Sequence, residues 1–129
     1  MKPRLSSHAA ELRKWVNRHY PNRDKRSDGW IADAAHMAAG TSDHIPNEYG
    51  IVHAIDIDAD LKPKAKDRSA AHHLAEMLRQ QGKRGERPIS YIIFSGRIAS
   101  PRLDWRWRKY RGTNPHMGHI HISFKETGE

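Results

Sequence analysis

The chain of 129 residues contains no cysteine. Disulfides and thiolate metal sites are therefore excluded, and any bound metal must be held by histidine or carboxylate. No stretch approaches the run of about 20 apolar residues that a membrane-spanning helix requires, so membrane insertion is not expected. The start, Met1-Lys2-Pro3-Arg4-Leu5, turns polar at once and lacks the apolar core of a signal peptide. The expectation is synthesis in the cytoplasm, with any action outside depending on another route of release. Phenylalanine is scarce at two residues, so four tryptophans and four tyrosines must supply much of the bulk of a small core. Acidic residues are outnumbered 15 to 23 by lysine and arginine, a formal charge of +8. That balance favours polyanionic partners: nucleic acid, an anionic membrane surface or an anionic cell-wall polymer.

The length fits a single domain spanning 1–129, with a frayed tail from Glu126 to Glu129. Residues 6–19 predict a helix, with Ser6 or Ser7 as N-cap, Leu12, Trp15, Val16 and Tyr20 at helical spacing, and Pro21-Asn22 as its end. Gly29 to His36 fits either a short helix or an irregular buried segment, and 40–50 reads as a loop. Residues 51–58 read as one strand, 67–81 as an amphipathic helix stopped by Gly82, 89–94 as a second strand and 118–124 as a third. The sum is an α+β domain: a small, mostly antiparallel sheet with two or three helices packed on it.

What is abundant is histidine, ten in all, and the densest run is His116-Met117-Gly118-His119-Ile120-His121-Ile122-Ser123-Phe124. Side chains alternate faces along a strand, so His119 and His121 point one way and Ile120 and Ile122 the other. Alternation also sorts the strand at 51–58. Val52, Ala54, Asp56 and Asp58 share one face, and His53, Ile55 and Ile57 share the other. Asp56 stands between two isoleucines. A carboxylate there needs a salt bridge or a cation to offset its desolvation. Asp58 and Asp60 lie nearer the strand end and read as solvated. Upstream is Thr41-Ser42-Asp43-His44. His44, Asp56 and a histidine of the C-terminal strand form a donor set that suits Zn²⁺ with an open position. His53 is the rival ligand, but it falls on the face opposite Asp56.

The pattern Ser42-x-His44, Gly50, Ala54-x-Asp56 and His119-x-His121 resembles the LAS-group zinc peptidases. That group covers D-alanyl-D-alanine carboxypeptidases, peptidoglycan endopeptidases and the hedgehog signalling domain. The likeness extends over about residues 15–124. It is closest to small phage endolysins through Ser27-Asp28-Gly29-Trp30-Ile31, Ser42-Asp43-His44-x-Pro46, Val52-His53-Ala54-Ile55-Asp56, and Trp105-Arg106-Trp107-Arg108 leading to Asn114-Pro115-His116. The resemblance implies a hedgehog/DD-peptidase-like fold and zinc on His44, Asp56 and His121. It implies cleavage of a peptidoglycan stem or cross-link, and action on the wall after holin-type release. Two departures stand out. The group's motif has six residues between the ligand His and Asp, where this chain has eleven. The glutamate that many members carry before the last ligand is missing, and His116-x-x-His119-x-His121 resembles instead the members with three histidines. In those, His121 would be the ligand, His116 the general base, and His119 a base or oxyanion-stabilising partner. Arg97 and Ser42 are the candidate substrate-binding residues. Asp33 and His36 are candidate supports of the site, and His72 and His73 read as surface residues. The expected state is a monomer.

Two other functions compete. The basic aromatic run from Arg97 through Arg111 suits single-stranded nucleic acid, or a nuclease, though no nucleic-acid-binding motif accompanies it. The hedgehog resemblance raises a non-catalytic, zinc-stabilised binding domain. Which peptidoglycan bond would be cut is not written in the sequence.

Overall fold

The computed structural model describes residues 2–30, 44–65 and 67–126. In chain order, β1 is Arg4–Leu5, α1 Ser7–His19, β2 Ile51–Val52, β3 Ala54–Asp58, α2 Ser69–Arg84, β4 Ile89–Phe94, β5 Arg97–Ala99, β6 Arg108–Lys109 and β7 His119–Phe124. Five strands form one antiparallel sheet in the order β3-β7-β4-β5-β6, while β1 and β2 pair in parallel as a separate two-stranded ribbon. The expected α+β architecture with a mostly antiparallel sheet is the one observed.

The sheet has two unlike faces. Ile55, Ile57, Ile92, Phe94, Ile120, Ile122 and Phe124 enter one buried cluster with Ala9, Leu12 and Val16 of α1 and Ala71, Leu74, Ala75 and Leu78 of α2. Each isoleucine, leucine, valine or phenylalanine among them contributes about 1.5–3 kcal/mol on burial. The alternate residues of β3 and β7 face away from the helices. That second face carries Asp56, Asp58, His119, His121 and Ser123.

Ser6 caps α1 by accepting from the Ala9 amide at 3.2 Å. The strand expected over 51–58 is interrupted at His53: its first two residues pair with Arg4–Leu5 and the rest with β7. The His53 carbonyl at the break accepts from the Phe124 amide at 2.7 Å. Gly82 does not stop α2. It lies within the helix, where an added Cβ would come within 2.7 Å of the Trp105 ring. The stop is Gly85, which caps α2 in the left-handed conformation at φ 74°. The segment 95–113, which carried no strand signal, holds β5 and β6. A two-residue turn at Ser95-Gly96, with φ 54° and 76°, joins β4 to β5.

Candidate metal centre

Asp56 and His121 are directly opposed across β3 and β7, as are Asp58 and His119. Opposed residues in an antiparallel pair project to the same side, so two acids and two histidines share a small area. Asp56 is pinned from both edges. Its amide donates to Gly29 O at 2.7 Å and its carbonyl accepts from the Gly29 amide at 3.2 Å, opposite the β7 pairing. The segment before Gly29 is held by a buried network. Arg23 binds Asp28 through two bonds of 2.8 and 2.6 Å, and Asp28 Oδ1 accepts from the Asp58 amide at 2.7 Å. Asp58 is therefore not solvated as expected. It is 4 % exposed and accepts from both the amide and the hydroxyl of Ser27.

His44 reaches the site from the loop before β2. The residues from Asn47 to Ile51 form a turn organised by Asn47. Its Oδ1 accepts from the Tyr49 and Ile51 amides, its carbonyl from the Gly50 amide, and its own amide donates to Ile51 O. Because this turn closes on itself, the segment between His44 and Asp56 leaves the two residues side by side. His44 Nε2 lies 3.2 Å from Asp56 Oδ2, and His121 Nδ1 lies 3.0 Å from Asp56 Oδ1. His119 Nε2 lies 3.6 Å from Asp56 Oδ2. His53 points elsewhere, toward Asn47 and Glu126.

The outer ring nitrogens decide what this arrangement can do. His44 Nδ1–H donates to the Trp30 carbonyl at 3.0 Å. A carbonyl only accepts, so in the neutral ring the proton sits on Nδ1 and the lone pair on Nε2. That lone pair faces a carboxylate oxygen, which is a second acceptor. Two acceptors at this separation are stable only with a proton or a cation between them. His121 is also held at both nitrogens, with a hydroxyl in place of the carbonyl at the outer one. Its Nε2 is hydrogen-bonded to Ser123 Oγ at 2.9 Å, and its Nδ1 faces Asp56. Burial pushes the Asp56 carboxyl up, but where a proton rather than a cation fills these gaps, hydrogen bonds from the His121 and His44 rings and their charge outweigh it. The carboxyl is held well below the usual carboxylate range. Donor atoms of His44, Asp56 and His121 all lie within 4.8 Å of one another, so the three can hold a metal ion. A set of imidazoles and a carboxylate, with each outer nitrogen engaged, is a donor set that could hold a divalent metal ion.

The order Ser123–His121–Asp56 also matches a nucleophile, a base and an orienting acid. Ser123 is only 3 % exposed, so a substrate carbonyl has no path to its hydroxyl. Its role here is to hold the His121 ring.

His116 completes the cluster from the loop before β7. Its ring centroid is 5.0 Å from that of His119 and 5.2 Å from that of His121. The backbone sits in the left-handed region at φ 55°, which costs a non-glycine residue about 1–2 kcal/mol. Its amide donates to Asn114 Oδ1 at 3.0 Å, and its carbonyl accepts from the Ser95 amide at 3.0 Å, offsetting that strain. Burial, and then the nearby His121, lower its pKa to about 4, so the ring is neutral at physiological pH.

Arg97 does not join this group. It opposes Phe94 across the β4–β5 hairpin, while Ile93 opposes His121, so Arg97 projects to the helix side. There its guanidinium stacks 5.3 Å from the Trp107 ring. Arg108, paired with Ile98, is on the histidine side, three strands from His121. Ser42, Asp33 and His36 lie outside the described residues. His72 and His73 are exposed. Ser123 and the Trp30 carbonyl were missed by sequence reasoning. Ser123 sits two residues after His121, on the same strand face, which is the signal that could have found it.

Comparison of the chain with family models, with curated proteins and with solved structures gave no match.

Proposed function

We propose that this chain is a zinc peptidase acting on the peptide stem or cross-link of bacterial peptidoglycan, in the manner of a phage endolysin that reaches the wall after holin-type release. The observation that carries the proposal is the facing of His44 Nε2 and His121 Nδ1 toward the two oxygens of Asp56, with His116 and His119 alongside. The sequence resemblance to LAS-group peptidases supports the substrate class.

His44, Asp56 and His121 would hold the zinc. When bound, zinc polarises the scissile carbonyl and lowers the pKa of water to about 7. Trp30 O and Ser123 Oγ keep the two ligand rings turned inward. His116 Nδ1 is buried and makes no hydrogen bond among the described residues, so it is available to accept the proton of the attacking water. Its depressed pKa keeps that lone pair free and makes the imidazolium, once formed, a strong acid toward the leaving amine. His119 Nε2, close to the same carboxylate, is placed to donate to the oxyanion that develops on the carbonyl.

The nucleic-acid reading has less support. Trp105 is buried against Gly82, and the Trp107 ring carries the Arg97 guanidinium on one face and donates through Nε1 to Glu76 at 2.9 Å, so both rings are already engaged. No helix among the described residues is long and apolar enough to cross a membrane.

The deciding experiment is digestion of defined peptidoglycan with and without chelator, followed by mass spectrometry of the fragments. Cleavage of one class of peptide bond, abolished by chelator and restored by zinc, is expected. Absence of chelator-sensitive cleavage would refute the peptidase and leave the zinc-stabilised binding domain.

A further inference from the structure

We propose that Asp56 is shared between two divalent-cation positions, the second formed by Asp56, His116 and His119. Donor atoms of these three residues lie within 4.8 Å of one another, as do those of His44, Asp56 and His121, and Asp56 is the member common to both groups. Its two oxygens are divided between neighbours. Oδ1 faces His121 at 3.0 Å, while Oδ2 faces His44 at 3.2 Å and His119 at 3.6 Å. Oδ2 therefore lies close to one histidine of each group, which makes Asp56 the residue through which both positions would be built.

The second group has its own reason to take a cation. His116 Nδ1 is buried and without a hydrogen bond among the described residues, a condition that costs about 1–3 kcal/mol. A metal bound there would satisfy it. Imidazole and carboxylate together favour zinc and its transition-metal neighbours over magnesium or calcium. The second position is the weaker one, because its carboxylate charge is already engaged and the two cations repel.

This inference rests on the peptidase reading for its consequence. His116 is the proton acceptor and His119 the oxyanion donor of that reading, and a cation on them occupies the His116 lone pair and the His119 nitrogen that those roles need. Zinc would then activate at one equivalent and inhibit in excess, making the site responsive to zinc supply.

The test is equilibrium dialysis of the intact chain against graded Zn²⁺, with bound metal counted by atomic emission. The wild type is expected to bind two equivalents, the second more weakly. His116→Ala and His119→Ala should each lose the weaker equivalent and keep the tight one. His116→Asn, which suits the left-handed backbone, serves if the alanine variant fails to fold. Retention of the second equivalent in these variants would place it on surface histidines such as His72 and His73 and overturn the proposal. So would a single equivalent in the wild type, even alongside chelator-sensitive cleavage. Two equivalents, the weaker dependent on these residues, without any cleavage of peptidoglycan, would uphold the second position and refute the peptidase.

Discussion

Asp56 and His121 are 65 residues apart in the chain and directly opposed across two antiparallel strands, with Oδ1 and Nδ1 3.0 Å apart. The contact follows from strand register alone. Its neighbours determine its meaning: Ser123 holds the far side of the His121 ring, and His44 meets the other oxygen of the same carboxylate.

Ligand and proton-transfer roles should separate in variants. His44→Ala, Asp56→Ala and His121→Ala are expected to lose the tight zinc and all peptidase activity. His116→Ala should keep that zinc while its rate falls about 10²–10⁴-fold. Metal analysis beside a cleavage assay reads both, and a fully active His116→Ala would remove it from the mechanism.

Ser123→Ala should weaken tight zinc binding about 10–100-fold, because the His121 ring loses the partner that orients it. The buried hydroxyl adds about 1 kcal/mol to stability, so a modest fall in Tm should accompany the change. Competition with a chromophoric chelator measures the affinity. Unchanged affinity with a lower Tm would reduce Ser123 to a packing role.

Glu76 joins α2 to the aromatic segment. Its carboxylate accepts from Arg79 at 2.8 and 2.6 Å, from Gln80 at 3.0 Å and from Trp107 Nε1 at 2.9 Å. Arg79, opposed by partial burial and aided by Gln80 and Trp107, lowers its pKa to about 2. A lowered carboxyl pKa contributes stability that is complete above the unfolded value of 4.5 and is lost as pH falls toward 2. Solvent reaches the group, so the effect amounts to about 1 kcal/mol or less. Thermal unfolding between these pH values should show a shallower acid dependence in Glu76→Gln than in the wild type.

Gly82→Ala should destabilise the fold although alanine is the better helix former by about 1 kcal/mol. The new Cβ would meet the Trp105 ring at 2.7 Å, and overpacking of that kind costs about 1–3 kcal/mol. A lower Tm is the expected result, and a higher one would mean that Trp105 moves aside easily.

Arg97, Arg102, Arg106, Lys109 and Arg111 are exposed on a chain of charge +8. If these residues hold the protein on an anionic wall, sedimentation with peptidoglycan should weaken as the screening length falls from about 10 Å at 0.1 M salt to about 3 Å at 1 M. Binding insensitive to salt would exclude an electrostatic anchor.

Much of this was legible in the sequence because it follows from period and chemistry. The alternation of His119, Ile120, His121 and Ile122 separates a polar face from a core face wherever the strand is placed. Ser6 and Ser7 bracket the start of α1, and the absence of cysteine limits any metal to histidine and carboxylate. Other features depended on residues distant in sequence. His53 breaks one apolar run into two strands because Arg4 and Leu5 claim its first half. Gly82 is a packing position because Trp105 arrives from another segment, and Asp58 is buried because Ser27 covers it. The hairpin register turns Arg97 away from the histidines, and that register follows from the two-residue turn at Ser95-Gly96. Composition and local periodicity thus determined which chemistry the chain can carry. Tertiary structure decided which of ten histidines meet one carboxylate, because such a meeting depends on strand pairing and loop closure between distant segments, which no local pattern records.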